Sequence, residues 1–271
     1  MKIAQFQTHV YKEKEKNIGQ LAEYMERIKG ENVDFVAFPE MFNCPYVTVN
    51  FPQYAEPEGG PSWQACRELA RQYEVYLSAG TMPEMDQRGR VYNTAYVFDR
   101  QGRQIAKHRK VYLFDVEIEG GQHFKESETI TAGENYTVFD TEFGKMGLCI
   151  CFDLRFPELC RVMAEEGVKM IFVPAAFNMT TGPAHWELLF RSRAVDNQCY
   201  MVGTSSARDE KADYVAWGHS LVVSPWGEIV NEIDEKAGAM ISEIDLSYVE
   251  KVRREIPLSK LRRADLYGKK S

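Results

Sequence analysis

The sequence predicts an α/β fold with mixed sheets, and three features support this prediction. Apolar runs such as VDFVAF (33–38) and VKMIFV (168–173) are typical of strands buried on both faces. Segments with apolar residues at helical spacing alternate with these runs along most of the chain, which indicates α/β layers. Two strand–turn–strand segments, at 97–105 and 222–230, add antiparallel pairs, so the sheets are mixed.

The first half of the chain begins with a short predicted strand at 2–7. A helix follows, with Asn17 as its predicted N-cap and Gln20 completing a capping box. The buried strand at 33–38 stops at Glu40, and an aromatic loop leads to a second helix, for which Ser62 is the predicted cap. Three further strands are predicted at 75–80, 91–99 and 103–108.

The second half opens with a long irregular segment, 111–135, whose length and aromatic content favour a structured active-site loop. A hairpin at 137–150 then leads to Cys151. The remaining predicted elements are a helix at 157–167, a strand at 168–173, a helix from 183 to about 197, strands at 199–206, 220–233 and 238–244, and a helix at 246–256.

The composition shows no break or linker, so we predict one domain over 1–271 with a tail from about 256. The segments at 97–105 and 222–230 resemble each other, which suits a doubled fold of two similar halves.

The net charge of -7 argues against a nucleic-acid partner. The N-terminus lacks a signal-peptide core and no apolar run is long enough to span a membrane, so we expect a cytoplasmic protein without membrane contacts. In that compartment the six cysteines are expected to be reduced. Because paired C-x-x-C motifs are absent from the sequence, we expect no structural zinc site.

Three reactive groups fall at comparable places in this predicted fold. Glu40 follows one strand, Lys110 follows another and Cys151 follows a third. Sites in α/β sheets collect outside the carboxyl ends of strands. A thiol, a carboxylate and an ammonium suit amide hydrolysis. Each also has a simpler reading: Cys151 as a buried structural cysteine, Glu40 as a loop carboxylate and Lys110 as part of the basic cluster KHRK.

The segments FPEMF (38–42), HRKVYLFD (108–115) and GLCICFDLRFPEL (147–159) resemble the Glu, Lys and Cys motifs of the nitrilase superfamily of carbon–nitrogen hydrolases. The order and spacing match along nearly the full length. This resemblance implies a four-layer αββα sandwich that forms a homodimer or a higher homo-oligomer.

Two longer segments, 176–198 and 207–220, resemble the omega-amidase branch of that superfamily. That branch hydrolyses the terminal amide of 2-oxoglutaramate or 2-oxosuccinamate to the 2-oxo diacid and ammonia. Other substrates of the superfamily stay open: an N-carbamoyl amide, deaminated glutathione or a nitrile. A non-catalytic binding protein and a thiol redox sensor are the alternatives from other functional classes.

The resemblance also assigns roles to individual residues. Cys151 is implied as the nucleophile, which forms a thioester, and Glu40 as its general base and later acid. The thioester chemistry that the resemblance implies needs no metal and no cofactor. Lys110 and the backbone N–H of Phe152 are implied as the oxyanion hole. A second glutamate maps onto Glu126, with Glu128 as a nearby competitor.

Substrate binding is implied for three further residues. Arg155 matches the arginine that binds the free carboxylate, and a guanidinium suits that partner. Phe177 and Thr181 are implied to assist. The alternative for Arg155 is an ion pair with Asp153 or Glu158, and the alternative for Thr181 is a hydroxyl that caps the following helix.

The sequence departs from the family pattern at two positions. Cys149 stands where glycine is usual, and Phe152 where tyrosine is common. Phe152 keeps the backbone N–H that the oxyanion hole needs. Cys149 and Cys151 are close enough in sequence to form an oxidisable pair. The histidines assemble no site: His108 could add positive charge beside Lys110, and His185 is expected to be a structural hydrogen-bonding residue.

Overall fold

The structure, a computed structural model, describes residues 1–117, 119 and 123–266. The strands in these ranges are β1 (Lys2–Gln7), β2 (Phe35–Ala37), β3 (Tyr76–Met85), β4 (Val91–Phe98), β5 (Gln104–Arg109), β6 (Asp115–Glu117), β7 (His123–Lys125), β8 (Thr137–Thr141), β9 (Gly144–Leu148), β10 (Met170–Ala175), β11 (Tyr200–Ser205), β12 (Leu221–Val223), β13 (Ile229–Glu232) and β14 (Gly238–Glu243). The helices are α1 (Lys14–Arg27), α2 (Phe51–Tyr54), α3 (Pro61–Tyr73), α4 (Pro157–Glu165), α5 (Gly182–Asn197), α6 (Ser247–Glu255) and α7 (Leu258–Leu261).

Two six-stranded sheets form the centre of the molecule. The first has the order β14-β1-β2-β3-β4-β5, and the second has the order β13-β12-β11-β10-β9-β8. Each sheet combines three parallel strands with antiparallel strands on both sides. The mixed sheets that the sequence predicts are therefore confirmed.

The two sheets repeat one topology. The parallel set β1-β2-β3 continues into the hairpin β4–β5, and the parallel set β9-β10-β11 continues into the hairpin β12–β13. The similar segments at 97–105 and 222–230 lie in these two hairpins, at equivalent places in the two halves. Their resemblance in sequence thus reflects a doubled architecture.

Apolar side chains hold the layers together. Between the sheets, the rings of Phe35 and Phe172 stack with their centroids 4.7 Å apart. Leu21 of α1 and Leu69 of α3 pack on the outer face of the first sheet. Trp186 of α5 belongs to the core of the second sheet. Helices thus cover both outer faces, which confirms the four-layer αββα sandwich.

Two predicted helix caps are wrong. Helix α1 begins at Lys14, so Asn17 lies inside it and is buried. The Asn17 side chain accepts a hydrogen bond from Tyr11 N (2.7 Å) and donates one to Tyr11 O (2.8 Å). It therefore fastens the preceding loop to the helix instead of capping it.

Helix α3 begins at Pro61, after Gly60, so Ser62 is not its cap. Proline suits the first helical position because its missing N–H would have no helical partner there. The Ser62 hydroxyl donates to Glu56 Oε1 at 2.9 Å. A polar residue near a helix start can either cap the helix or bind a neighbouring segment. The spacing in the sequence does not distinguish these two roles.

Candidate active site

The three predicted reactive groups come together in the structure. Glu40 follows β2, Lys110 directly follows β5, and Cys151 follows β9. The first two therefore come from one sheet and the thiol from the other. All three side chains are buried.

The Lys110 ammonium is surrounded by oxygen atoms. Its Nζ lies 2.9 Å from Glu40 Oε1, 3.0 Å from Glu126 Oε1 and 3.2 Å from the Tyr46 hydroxyl. Burial lowers the pKa of Lys110, but the charges of Glu126 and Glu40 raise it more strongly, so the net shift is upward. Lys110 is therefore a fixed positive charge at neutral pH.

The Glu40 carboxylate is held by one of its two oxygens. Oε1 accepts hydrogen bonds from Lys110 Nζ and from Asn93 Nδ2, the latter at 2.8 Å. Burial raises the pKa of Glu40, the Lys110 charge lowers it, the Glu126 charge raises it, and the net shift is upward. A carboxylate with a raised pKa is a stronger base, which suits a group that takes a thiol proton.

Cys151 occupies a strained turn next to Glu40. Its φ of 43° lies in the left-handed region, which non-glycine residues rarely adopt. Burial and the charge of Glu40 raise the pKa of the Cys151 thiol well above its ordinary value, although Lys110 opposes them. The resting thiol is therefore protonated, and attack on a carbonyl requires a base. Glu40 is the neighbouring carboxylate that can accept this proton.

The second glutamate of the site is Glu126, since Glu128 is exposed. Glu126 is fully buried. It accepts hydrogen bonds from Lys110 Nζ, from the Tyr46 hydroxyl (2.6 Å) and from Phe114 N (2.7 Å). Tyr46 and Phe114 therefore fix the carboxylate that binds the Lys110 ammonium.

A small pocket opens beside Cys151. The empty space in it, part of which is open to solvent, is about 190 Å³. Its lining is Phe114, Cys151, Phe152, Arg155, Ala176, Phe177, Thr181 and Tyr214. All the predicted substrate-binding residues, Arg155, Phe177 and Thr181, thus line the same pocket as the thiol.

Arg155 has no ion pair among the described residues, so neither Asp153 nor Glu158 neutralises it. Its Nη1 lies 3.2 Å from His185 Nδ1, and its guanidinium lies 4.9 Å from the centroid of the Phe177 ring. Burial lowers the pKa of the guanidinium. A half-buried cation without a counter-ion favours binding of an anion.

Thr181 precedes α5, yet its hydroxyl donates to Asn178 Oδ1 at 3.1 Å instead of capping the helix. The Phe177 ring packs edge-on against Trp186, with centroids 5.1 Å apart. Both residues therefore have structural contacts that hold them in the pocket wall.

The sequence profile of the carbon-nitrogen hydrolase family matches residues 2–254. The chain belongs to this family. Omega-amidase NIT2-A of Xenopus laevis is 46% identical over 94% of this chain and 92% of its own length. Omega-amidase NIT2 of Homo sapiens is 43% identical over 98% of this chain and 96% of its own length.

Solved structures agree with this assignment. The structure of Saccharomyces cerevisiae Nit3, a member of branch 10 of the nitrilase superfamily, has a TM-score of 0.90 and 40% identity, with coverage of 97% of this chain and 96% of that chain. The protein is therefore an omega-amidase-like amidohydrolase of the nitrilase superfamily. The resemblance seen in the three motifs is confirmed.

Sequence reasoning missed two polar residues of this carbon–nitrogen hydrolase site. Tyr46 contacts both Lys110 and Glu126, and Asn93 donates to Glu40. Tyr46 comes from the aromatic loop after β2, and Asn93 from the middle of β4. Neither position carries a pattern that distinguishes it from its neighbours, because these contacts exist only once the chain has folded.

Two residues near the site have further contacts. The His108 ring faces Asp153, with its Nε2 3.0 Å from Asp153 Oδ2. Cys149 is a buried free thiol. A hydrogen bond with Cys160 and, after it, burial raise the pKa of the Cys149 thiol. The oxidisable pair of Cys149 and Cys151 therefore stays a prediction.

Within 1–117, 119 and 123–266, no cluster of three or more His, Cys, Asp or Glu side chains is placed to hold a metal ion. None of the helices in these ranges has the length and apolarity to cross a bilayer.

Proposed function

We propose that this hydrolase cleaves the terminal amide of a short 2-oxo dicarboxylic acid monoamide, such as 2-oxoglutaramate or 2-oxosuccinamate. The observation that supports this substrate class is Arg155, a half-buried cation without a described counter-ion in the pocket of Cys151. Such a substrate has one free carboxylate for Arg155 and one amide for the thiol. The small size of this pocket also favours a small substrate.

The proposed reaction begins with proton transfer from Cys151 to Glu40 as the sulfur attacks the amide carbon. Lys110 and the N–H of Phe152 stabilise the oxyanion of the tetrahedral intermediate. Glu40 then returns the proton to the leaving nitrogen, so ammonia departs and a thioester remains. A water molecule, deprotonated by Glu40, attacks the thioester and releases the diacid and the thiol.

The resting contacts set one requirement for this mechanism. A lysine ammonium has three N–H donors, and Lys110 has three partners in Glu40, Glu126 and Tyr46. The oxyanion must therefore replace or share one of them. Tyr46, at 3.2 Å, is the longest of the three contacts and the only uncharged one, so it is the partner most readily exchanged.

The test is ammonia release from a panel of substrates: 2-oxoglutaramate, glutamine, an N-carbamoyl amino acid and a simple nitrile. We expect 2-oxoglutaramate to have the highest kcat/KM and the Cys151→Ala variant to release no ammonia from it. The proposal fails if wild-type enzyme hydrolyses 2-oxoglutaramate no faster than the other three. Trapping the acylated Cys151 in acid and measuring its mass tests the thioester separately.

We also propose a cytoplasmic location for this enzyme. The support is that its six cysteines, all within the described ranges, are buried free thiols.

A further inference from the structure

Asp153 is a fully buried carboxylate that touches the chain on both sides of Lys110. Its Oδ1 accepts hydrogen bonds from Val111 N (3.1 Å) and Tyr112 N (2.8 Å). Its Oδ2 lies 3.0 Å from His108 Nε2, which donates to it. The residues that flank the lysine are thus bound to a single side chain.

The same carboxylate also closes the turn that contains the nucleophile. Oδ2 accepts a hydrogen bond from Ile150 N at 2.9 Å, and the backbone N–H of Asp153 donates to Ile150 O at 2.9 Å. Cys151 and Phe152 lie between these two tied residues. The N–H of Phe152 therefore belongs to a turn that Asp153 closes, and within it Cys151 has a left-handed φ of 43°.

We infer that Asp153 is a positioning residue that holds the two donors of the oxyanion hole, Lys110 and the N–H of Phe152, in register. The inference rests on the oxyanion hole of the proposed function. Lys110 follows β5 of one sheet and Phe152 follows β9 of the other, so their alignment depends on a link between the two segments. Asp153 supplies this link through four N–H donors drawn from both segments.

The alignment matters because oxyanion donors act only at short range. Donors must lie about 2.7–3.1 Å from the developing oxyanion. A misplacement of about 1 Å can reduce a rate by about 100-fold. A buried carboxylate with charge-assisted hydrogen bonds is a rigid anchor for such an arrangement.

Asp153→Asn tests the inference, because the amide keeps the shape of the carboxylate but turns one acceptor oxygen into a donor. The side-chain NH₂ group of the asparagine then faces two N–H donors that a carboxylate oxygen accepts in the wild type. We expect kcat on the best amide of the panel to fall about 10- to 100-fold while KM changes less than about threefold. Alkylation of Cys151 by iodoacetamide does not use the oxyanion hole, so its rate should change less than about threefold.

Asp99→Asn is the matched control. Asp99 is also buried, and its carboxylate accepts hydrogen bonds from Gln101 N and Arg103 N, both at 2.9 Å, in the turn between β4 and β5. This variant should lose stability but keep kcat.

The inference is overturned if Asp153→Asn keeps kcat after correction for its folded fraction. It is also overturned if alkylation slows as much as kcat, since Asp153 would then act on the thiol.

Two further variants keep the test decisive. If Asp153→Asn does not fold, His108→Met removes one donor to Oδ2 and should lower kcat with the same pattern; unchanged kcat there overturns the inference.

Lys110→Gln separates this inference from the proposed mechanism. If Lys110→Gln retains kcat, the oxyanion hole itself is wrong, whereas an essential Lys110 with a fully active Asp153→Asn refutes positioning alone.

Discussion

At the scale of single residues, the two carboxylate oxygens of Glu40 differ in their hydrogen bonds. Oε1 accepts the hydrogen bonds from Lys110 and Asn93. Oε2 accepts no N–H or O–H bond from the described part of the chain, although it is buried. Because buried carboxylate oxygens normally find donors, Oε2 is the oxygen available to take protons from the thiol and later from water.

The pH dependence of the enzyme follows from this carboxylate. In the proposed mechanism Glu40 must be ionised to act as a base, so activity should fall as the pH drops through its raised pKa. The charge of Glu126 contributes to that rise. In Glu126→Gln this contribution is lost, the pKa of Glu40 falls, and the acid limb of residual kcat/KM should move to lower pH.

Glu128→Gln is the control for this prediction, since Glu128 is exposed and lies two residues away in the same turn. Its pH profile of kcat/KM should match that of the wild type. An acid limb of Glu126→Gln that stays in place or moves to higher pH would contradict the assignment of Glu40 as the titrating base.

Arg155 gives the second prediction at this scale. In Arg155→Ala, kcat/KM for 2-oxoglutaramate should fall at least about 10-fold, because a charged hydrogen bond contributes about 1.5–3 kcal/mol. An uncharged amide that lacks the carboxylate serves as the control, and its slower hydrolysis should change little. Equal losses on both substrates would mean that Arg155 shapes the pocket without binding the carboxylate.

At the scale of elements, the positions of the reactive groups were predictable because buried strands have a clear signal. The run 33–38 places Glu40 after a strand, and the run before Cys151 does the same for the thiol. The three motifs then pointed to the family. By contrast, Asp153 lies in the motif that contains Cys151 but gives no sign that it binds the Lys110 segment, because that contact joins two sheets.

Helix starts were less predictable than strands. Asn17 and Ser62 are both residues that favour N-caps, yet each binds a neighbouring loop from inside a helix. Cap preference is a local property, and burial against a distant segment outweighs it. The β strands, in contrast, can be predicted from apolar runs, because these runs already indicate burial in the sequence.

Asn17 provides a prediction about stability. Asn17→Ala removes two partly buried hydrogen bonds to Tyr11 and leaves the backbone groups of that residue without these partners. The free energy of unfolding, measured with urea, should fall by about 1–3 kcal/mol, and kcat should not change. Gln64→Ala is the control, since its side chain bonds Gly59 O at the surface and its loss should have little effect. An equal loss in both variants would contradict this role.

At the scale of the whole molecule, the active site depends on the packing of two sheets. Glu40 and Lys110 belong to the first half and Cys151 to the second. The stacked rings of Phe35 and Phe172 lie between these halves. A doubled fold thus creates a site that neither half contains alone.

The outer face of the second half carries exposed apolar side chains. Leu188 and Val195 of α5 and Trp226 of the β12–β13 turn are 64%, 45% and 48% exposed, and all three line one surface groove. Asp196 of this groove also lines the neighbouring groove beside Leu258. Exposed apolar side chains that are grouped in one groove and flanked by charged residues such as Glu187 and Arg191 are typical of an interface between protein chains. We propose that a second copy of the chain covers it, as expected for a homodimer.

Sedimentation velocity tests this proposal. The wild-type protein should sediment as a dimer or a larger oligomer, and Leu188→Glu should shift it toward the monomer because a carboxylate would be buried in the interface without a partner. Val49→Glu is the matched control: Val49 is 65% exposed in the segment Thr48–Asn50 and lines neither of these two grooves, so its substitution should leave the sedimentation unchanged. A wild-type monomer at all concentrations, or equal behaviour of the two variants, would show that α5 does not form the interface.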